Sequence, residues 1–171
     1  MATNTKFINI DEYIDLLKDK TTICVKDYKK HHKGVIVRHD IDYSLEMAYE
    51  FSRYEKLNKI NSTYYILLTS NVYNIFSYSS QKIIKQMISD GFEIGLHFDP
   101  SIYEDVGIKS LEIEVKKEAD ILSSIIKKPI HSISIHNPSV HNQFPIFSNF
   151  KNAYDEKIFS DDTYISDSMM S

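Results

Sequence analysis

The sequence predicts an α/β fold built on a parallel sheet or barrel. After Gly34, short apolar runs of strand length alternate with longer segments whose apolar residues recur at helical spacing. Connections of that length suit right-handed βαβ units, which place successive strands parallel in one sheet. No internal repeat, low-complexity tract or Gly/Pro/Ser-rich linker divides the chain, so its 171 residues read as one domain with a sizeable core.

The elements follow in order. Asp11 to Asp19 has the pattern of an amphipathic helix, and a basic loop (Lys29, Lys30, His31, His32, Lys33) leads to a turn at Gly34. Val35–Asp40 is the first strand. Ser44 caps a helix to about Leu57, with Leu45, Ala48, Phe51 and Tyr54 near helical spacing. Ser62–Thr69, rich in aromatic and branched residues, is the second strand, and a polar-aromatic loop, Ser70–Tyr78, follows it. Ser80 opens a helix that stops at Asp90-Gly91, glycine being the usual residue just past a helix end. Phe92–Phe98 is the third strand, ended by Pro100. Ser110–Ile126 is a long helix with Leu111, Val115, Ala119, Leu122 and Ile126 on one stripe. Pro129 stops it, His131–His136 is the fourth strand, and a weaker helix or loop leads to a fifth, Tyr164–Ser166.

Composition narrows the function. A hydrophobic fraction of 42% and a charged fraction of 26% are ordinary for a globular protein. The net charge of -4, without a clustered basic face, argues against a nucleic-acid partner. The single cysteine, Cys24, excludes an internal disulfide and fits a reducing compartment. The N-terminus carries no apolar run of signal-peptide length, and no segment approaches the roughly 18 apolar residues of a membrane span. The expected location is cytoplasmic, without a membrane span; the oligomeric state stays open.

Chemistry is expected at the C-terminal ends of the strands, where parallel α/β folds gather functional residues. Alternation puts Arg38, Asp40 and Asp42 on one face and Val37, His39 and Ile41 on the other. The third strand ends in His97, with Gly95 and Glu93 on its face, and the fourth in His136, with Ser132 and Ser134 on its face. One carboxylate and two imidazoles form an open site for zinc or a similar divalent ion, and a second carboxylate is left as general base.

Four segments carry a resemblance: Arg38-His-Asp-Ile-Asp42, Tyr64-Tyr-Ile-Leu-Leu-Thr-Ser70, Gly91-Phe-Glu-Ile-Gly-Leu-His97 and Ser134-Ile-His-Asn-Pro138. Together they resemble a divergent branch of the NodB-homology polysaccharide deacetylases, carbohydrate esterase family 4, over about Gly34 to Ser168. The resemblance implies a distorted parallel (β/α) barrel, a divalent metal (usually zinc), and removal of acetyl groups from N- or O-acetylated sugars. The chain then divides into an N-terminal helix and basic loop, residues 1–33, and a barrel segment, residues 34–168.

By position, the resemblance assigns Asp40 as general base and Asp42 as metal ligand, the exchange of roles being left open. His97 matches the first histidine of the family's His-x-x-x-His motif, but Ser101 stands at the second, and His136 is expected to replace it. Arg38 is expected to orient the base. Asp99 is either a partner of a ligand or a plain turn residue. Tyr64 and Tyr73 are candidate sugar-stacking residues, with core packing the competing reading for Tyr64. The family's late general-acid histidine has no match, His141 being a poor substitute, so the barrel is expected to be incomplete at its C-terminal end. The expected substrate is an acetylated carbohydrate or sugar-linked precursor. Two alternatives remain: a shortened, non-catalytic relative that binds metal or glycan, and a hydrolase of non-sugar C–N bonds such as cyclic imides.

Overall fold

The computed structural model describes residues 9–29, 33–103, 107–138, 144–155 and 158. Lys30, His31, His32, His141 and the expected strand Tyr164–Ser166 lie outside the described residues. The described residues open with α1 (Ile10–Leu17), started by a capping box in which Asn9 accepts the Glu12 N–H at 2.9 Å. A two-residue strand, β1 (Thr22–Ile23), precedes a 3-10 turn at Val25–Asp27 and pairs in parallel with β2 (Val35–Ile36).

The expected first strand is split at Val37. Its N–H donates to Ile23 O at 3.4 Å while its carbonyl accepts the Thr63 N–H at 3.0 Å, so the strand leaves one sheet and enters another at that residue. Beyond the break, β3 (Arg38–Ile41), β4 (Thr63–Leu67), β5 (Glu93–Phe98), β6 (Ser132–Ile135) and β7 (Lys151–Asn152) form a five-stranded sheet in chain order. Every ladder is parallel. Sequence reasoning missed β1 and β7, whose two-residue length gives no periodic signal.

The crossovers are α2 (Leu45–Leu57), α3 (Tyr78–Ser89) and α4 (Ile108–Ile126). Ser44 caps α2 through the Met47 N–H at 3.2 Å, as expected. The cap of α3 is Ser77 rather than Ser80: its hydroxyl accepts the Ser80 N–H at 3.1 Å, and the helix starts two residues sooner. Gly91 follows α3 at a φ of 104°, a left-handed conformation that favours glycine. No described helix is long and apolar enough to cross a membrane.

Alternation gives the sheet two unlike faces. Outward, Ile41, Ile66, Ile94, Leu96, Phe98, Ile133 and Ile135 pack against Leu45, Ile84, Met87, Leu111, Val115 and Leu122 of the helices. Inward, Thr63, Glu93, Ser132 and Ser134 are buried and polar. Buried polar groups demand partners. Glu93 accepts from Ser132 Oγ at 2.7 Å, Thr63 Oγ1 at 2.7 Å and the Lys26 N–H at 2.9 Å. Tyr65 lies across this floor and donates to Ser132 Oγ at 3.0 Å. Gly95 makes room for it: a Cβ there would stand 2.5 Å from Tyr65 Cδ1 and 3.0 Å from Ser132 O. The 3-10 turn closes the floor from below, and Lys151 Nζ donates to Lys26 O and, at 2.8 Å, to Tyr28 O.

Candidate metal centre

The carboxyl ends of β3, β5 and β6 meet at one rim. Asp42 follows β3, His97 is the fifth residue of β5, and His136 follows β6. His97 pairs in register with Ser134, which puts His136 one strand-face repeat beyond it, also inward. Asp42 Oδ1 lies 3.2 Å from His97 Nε2 and 3.2 Å from His136 Nδ1, and the two nitrogens are themselves 3.2 Å apart. Ligand atoms at about 2.0–2.1 Å from a tetrahedral zinc stand about 3.3 Å from one another. The triangle matches that spacing with almost no rearrangement.

The donors are also prepared for an ion. Asp42 Oδ1 is buried and lacks a hydrogen-bond partner. His97 is buried, and its Nδ1 lies 3.1 Å from Ser134 O. An Nδ1–H donated there leaves the Nε2 lone pair facing the triangle. His136 Nε2 is 2.9 Å from Asn137 Nδ2, an amide whose nitrogen and oxygen exchange places on a half-turn, and Asn137 sits at a left-handed φ of 43°. With its amide oxygen turned to an Nε2–H, Asn137 would hold the tautomer that frees Nδ1. One oxygen and two nitrogens, convergent and otherwise unpaired, fit zinc or a similar divalent ion.

Charge within the triangle is balanced internally. Burial alone would raise the Asp42 carboxyl, but the His97 and His136 imidazoles beside it outweigh burial and hold it below its ordinary value. Burial likewise disfavours the charged form of His97, yet the Asp40 and Asp42 carboxylates prevail and raise it.

Asp40 stands next to this triangle with partners of its own. Arg38 Nη1 donates to its two oxygens at 3.1 and 2.9 Å and to Ser134 Oγ at 2.6 Å. Ser134 Oγ donates to Asp40 Oδ2 at 3.0 Å. The Arg38 guanidinium carbon lies 4.6 Å from the centre of the Tyr154 ring, which backs it with an aromatic face. Among the expected residues, Asp42, His97 and His136 therefore form one group, and Arg38 and Asp40 an adjoining one.

The two tyrosines fall elsewhere. Tyr64 is not a sugar-stacking residue: it is 1% exposed, on the outer face, with its ring against His39 and Phe92 and its hydroxyl donating to Glu55 Oε2 at 2.7 Å. Register decides this, because Tyr64 pairs with His39 and Ile94 whereas Tyr65 pairs with Asp40 and Gly95. Tyr73 is half-buried at the rim and ties two strand ends, donating to Ile41 O at 2.7 Å and accepting the Leu67 N–H at 2.9 Å. Asp99 is a turn residue: its carboxylate caps the 3-10 turn Pro100–Ile102 by accepting from Ser101 N and Oγ at 2.9 and 2.6 Å, so the Ser101 side chain is spent within that turn. Sequence reasoning missed Tyr154 and the bonds of Ser134. Ser134 had a signal, a small polar residue in phase with His136; Tyr154 had none.

No protein-family model matches the chain, and no curated protein does either. Solved structures do. A Streptococcus pyogenes deacetylase, PplD, in complex with acetate is 17% identical at a TM-score of 0.53, covering 78% of this chain and 65% of its own. The chitin deacetylase of the fungal pathogen Colletotrichum lindemuthianum is 15% identical at a TM-score of 0.48, over 59% of this chain and 44% of its own. A CE4 family pseudoenzyme from Bacillus anthracis is 10% identical at 0.46, over 63% and 36%. The chain thus spans 65% or less of these structures' lengths. Its parallel α/β fold is like that of the Streptococcus pyogenes deacetylase.

Proposed function

We propose that this protein is a metal-dependent hydrolase that removes an acetyl group from an N-acetylated or O-acetylated sugar. The observation that carries the reading is the 3.2 Å triangle of Asp42 Oδ1, His97 Nε2 and His136 Nδ1 beside a carboxylate, Asp40, that takes no part in it. Asp42, His97 and His136 would hold the ion. A divalent ion there supplies Lewis acidity, lowering the pKa of a water and polarising an acyl carbonyl.

The remaining steps belong to the chain. Asp40 is the general base that takes the attacking water's proton. Arg38 Nη1 donates to both Asp40 oxygens and keeps the negative charge at the rim. Once protonated, Asp40 carries the proton that the departing nitrogen or oxygen needs, and the products are acetate and the freed amine or hydroxyl. His97 keeps its Nδ1–H on Ser134 O throughout. Tyr73 holds the ends of β3 and β4 together at the rim.

A non-catalytic relative that binds metal or glycan is the second reading, favoured by Ser101, which donates to the capping Asp99 at the place where the resemblance implies a second metal-binding histidine. One experiment separates the two. Purified protein is analysed for zinc, cobalt and nickel, then assayed for acetate release from N-acetylglucosamine oligomers, with cyclic imide hydrolysis in parallel. Metal with acetate release supports the enzyme, and metal without it supports the binding protein. No affinity for any of the three ions overturns the metal centre itself.

A further inference from the structure

Ser134 touches both halves of the site and belongs to neither. We infer that Ser134 is a positioning residue that fixes the proposed base relative to the proposed ligand set, an inference that rests on the deacetylase reading. Its side chain is fully buried, so its bonds are to protein. Its hydroxyl has one proton and two lone pairs. Arg38 can only donate, so the 2.6 Å contact with Arg38 Nη1 uses a lone pair. The proton is then directed to Asp40 Oδ2 at 3.0 Å, and the rotor has a single satisfied setting.

The backbone of the same residue does the corresponding work for the metal side. Ser134 O receives the His97 Nδ1–H at 3.1 Å, and two residues further along the same strand face is His136. One residue therefore references the base through its side chain, one imidazole through its carbonyl and the other imidazole through the strand. Arg38 alone cannot do this. A single guanidinium nitrogen, Nη1, serves both Asp40 oxygens, and such a fork leaves the carboxylate free to swing about it. The serine hydroxyl removes that freedom by holding Oδ2 from a second direction.

The division between side chain and carbonyl makes the inference testable. Ser134→Ala removes the hydroxyl but leaves the carbonyl, so cobalt titrated into the protein should give the same visible spectrum and an affinity within about threefold of the parent. Acetate release should lose kcat by about 10–100-fold with KM unchanged. In an Asp40→Ala background the same substitution should cost nothing further, because it acts through Asp40. Ser134→Thr, which restores the hydroxyl, should recover most of the loss. A second cycle needs no activity: in urea unfolding of the metal-free protein, the double variant's midpoint should shift by less than the sum of the two single shifts. Parent-like kcat in Ser134→Ala, a loss that persists without Asp40, a lost cobalt spectrum, or additive midpoints each overturns the inference. If the parent releases no acetate, the deacetylase reading fails and the unfolding cycle alone decides the role of Ser134.

Discussion

Asp40 on β3 and Asp42 just past its end stand two residues apart, yet each is held by a different set of groups. Arg38 and Ser134 grip Asp40, whereas His97 and His136 face Asp42. Their substitutions should therefore separate. Asp42→Asn should lower zinc affinity at least about tenfold. Asp40→Asn should keep the metal and lose about 10²–10⁴-fold in turnover. Metal analysis and acetate release on the same preparations check this, and the reverse pattern exchanges the two roles.

Glu118 makes a prediction about pH. It is 5% exposed on α4, accepts the Tyr103 hydroxyl at 2.6 Å on Oε1 and has no partner for Oε2. Burial pushes its carboxyl up from 4.5 to about 7. The folded chain thus keeps a proton that the unfolded chain releases first. Its stabilisation is complete below about pH 4.5 and is lost as pH rises to about 7. Glu118→Gln should raise stability at pH 8 by about 1–3 kcal/mol and change little at pH 4. Urea melts at the two pH values measure the difference, and equal effects at both would refute it.

Glu55 should respond with the opposite sign. It is fully buried on α2 and accepts from the Tyr13 hydroxyl, Ser62 Oγ at 2.5 Å, Tyr64 at 2.7 Å and His39 Nε2 at 2.8 Å. Burial would raise its carboxyl, but the hydrogen bond and charge of His39, with the Ser62 and Tyr13 hydroxyls, outweigh burial and hold it below the ordinary value. Its contribution is present above the unfolded carboxyl's pKa and is lost as pH falls through the lowered one. Glu55→Gln should cost about 2–4 kcal/mol at neutral pH, shrinking in acid. Denaturation curves from pH 3 to 8 would show the gap closing.

Gly95 tests the floor beneath the rim. With Tyr65 in the space of a side chain, Gly95→Ala should destabilise by about 1–3 kcal/mol through overpacking. Shortening the neighbour by Tyr65→Leu should recover part of that loss in the double variant. Thermal melts of the four proteins make the comparison.

Much of the site was legible because strand alternation and the strand-end rule are local. The phase of Arg38, Asp40 and Asp42, and the inward faces ending in His97 and His136, follow from a period of two and a parallel sheet. The α2 stripe strays from its buried face at Tyr54, which is exposed while Ser52 and Glu55 are buried. The bounds of α2 and α4 were nevertheless legible to within two residues, α2 from its Ser44 cap and α4 from its apolar stripe. Three things were not. Tyr64 was misplaced because alternation says neighbours face opposite ways without saying which neighbour faces inward; the Tyr65–Gly95 pairing decides that. The strands β1 and β7 are set by tertiary pairing rather than by pattern. The Ser134 bonds to Arg38 and Asp40 cross more than ninety residues, and nothing local announces them.

The clasp under the floor bears on how the protein is made. Lys151 Nζ closes on the carbonyl of Lys26 across 125 positions of chain. At about 5–20 residues per second, a ribosome needs roughly 6–25 s to deliver one after the other. Every residue of the ligand triangle is synthesised before Lys151, since His136 precedes it. Asp42, His97 and His136 thus leave the ribosome before the contact that seals the base, so the rim is made before its underside can close.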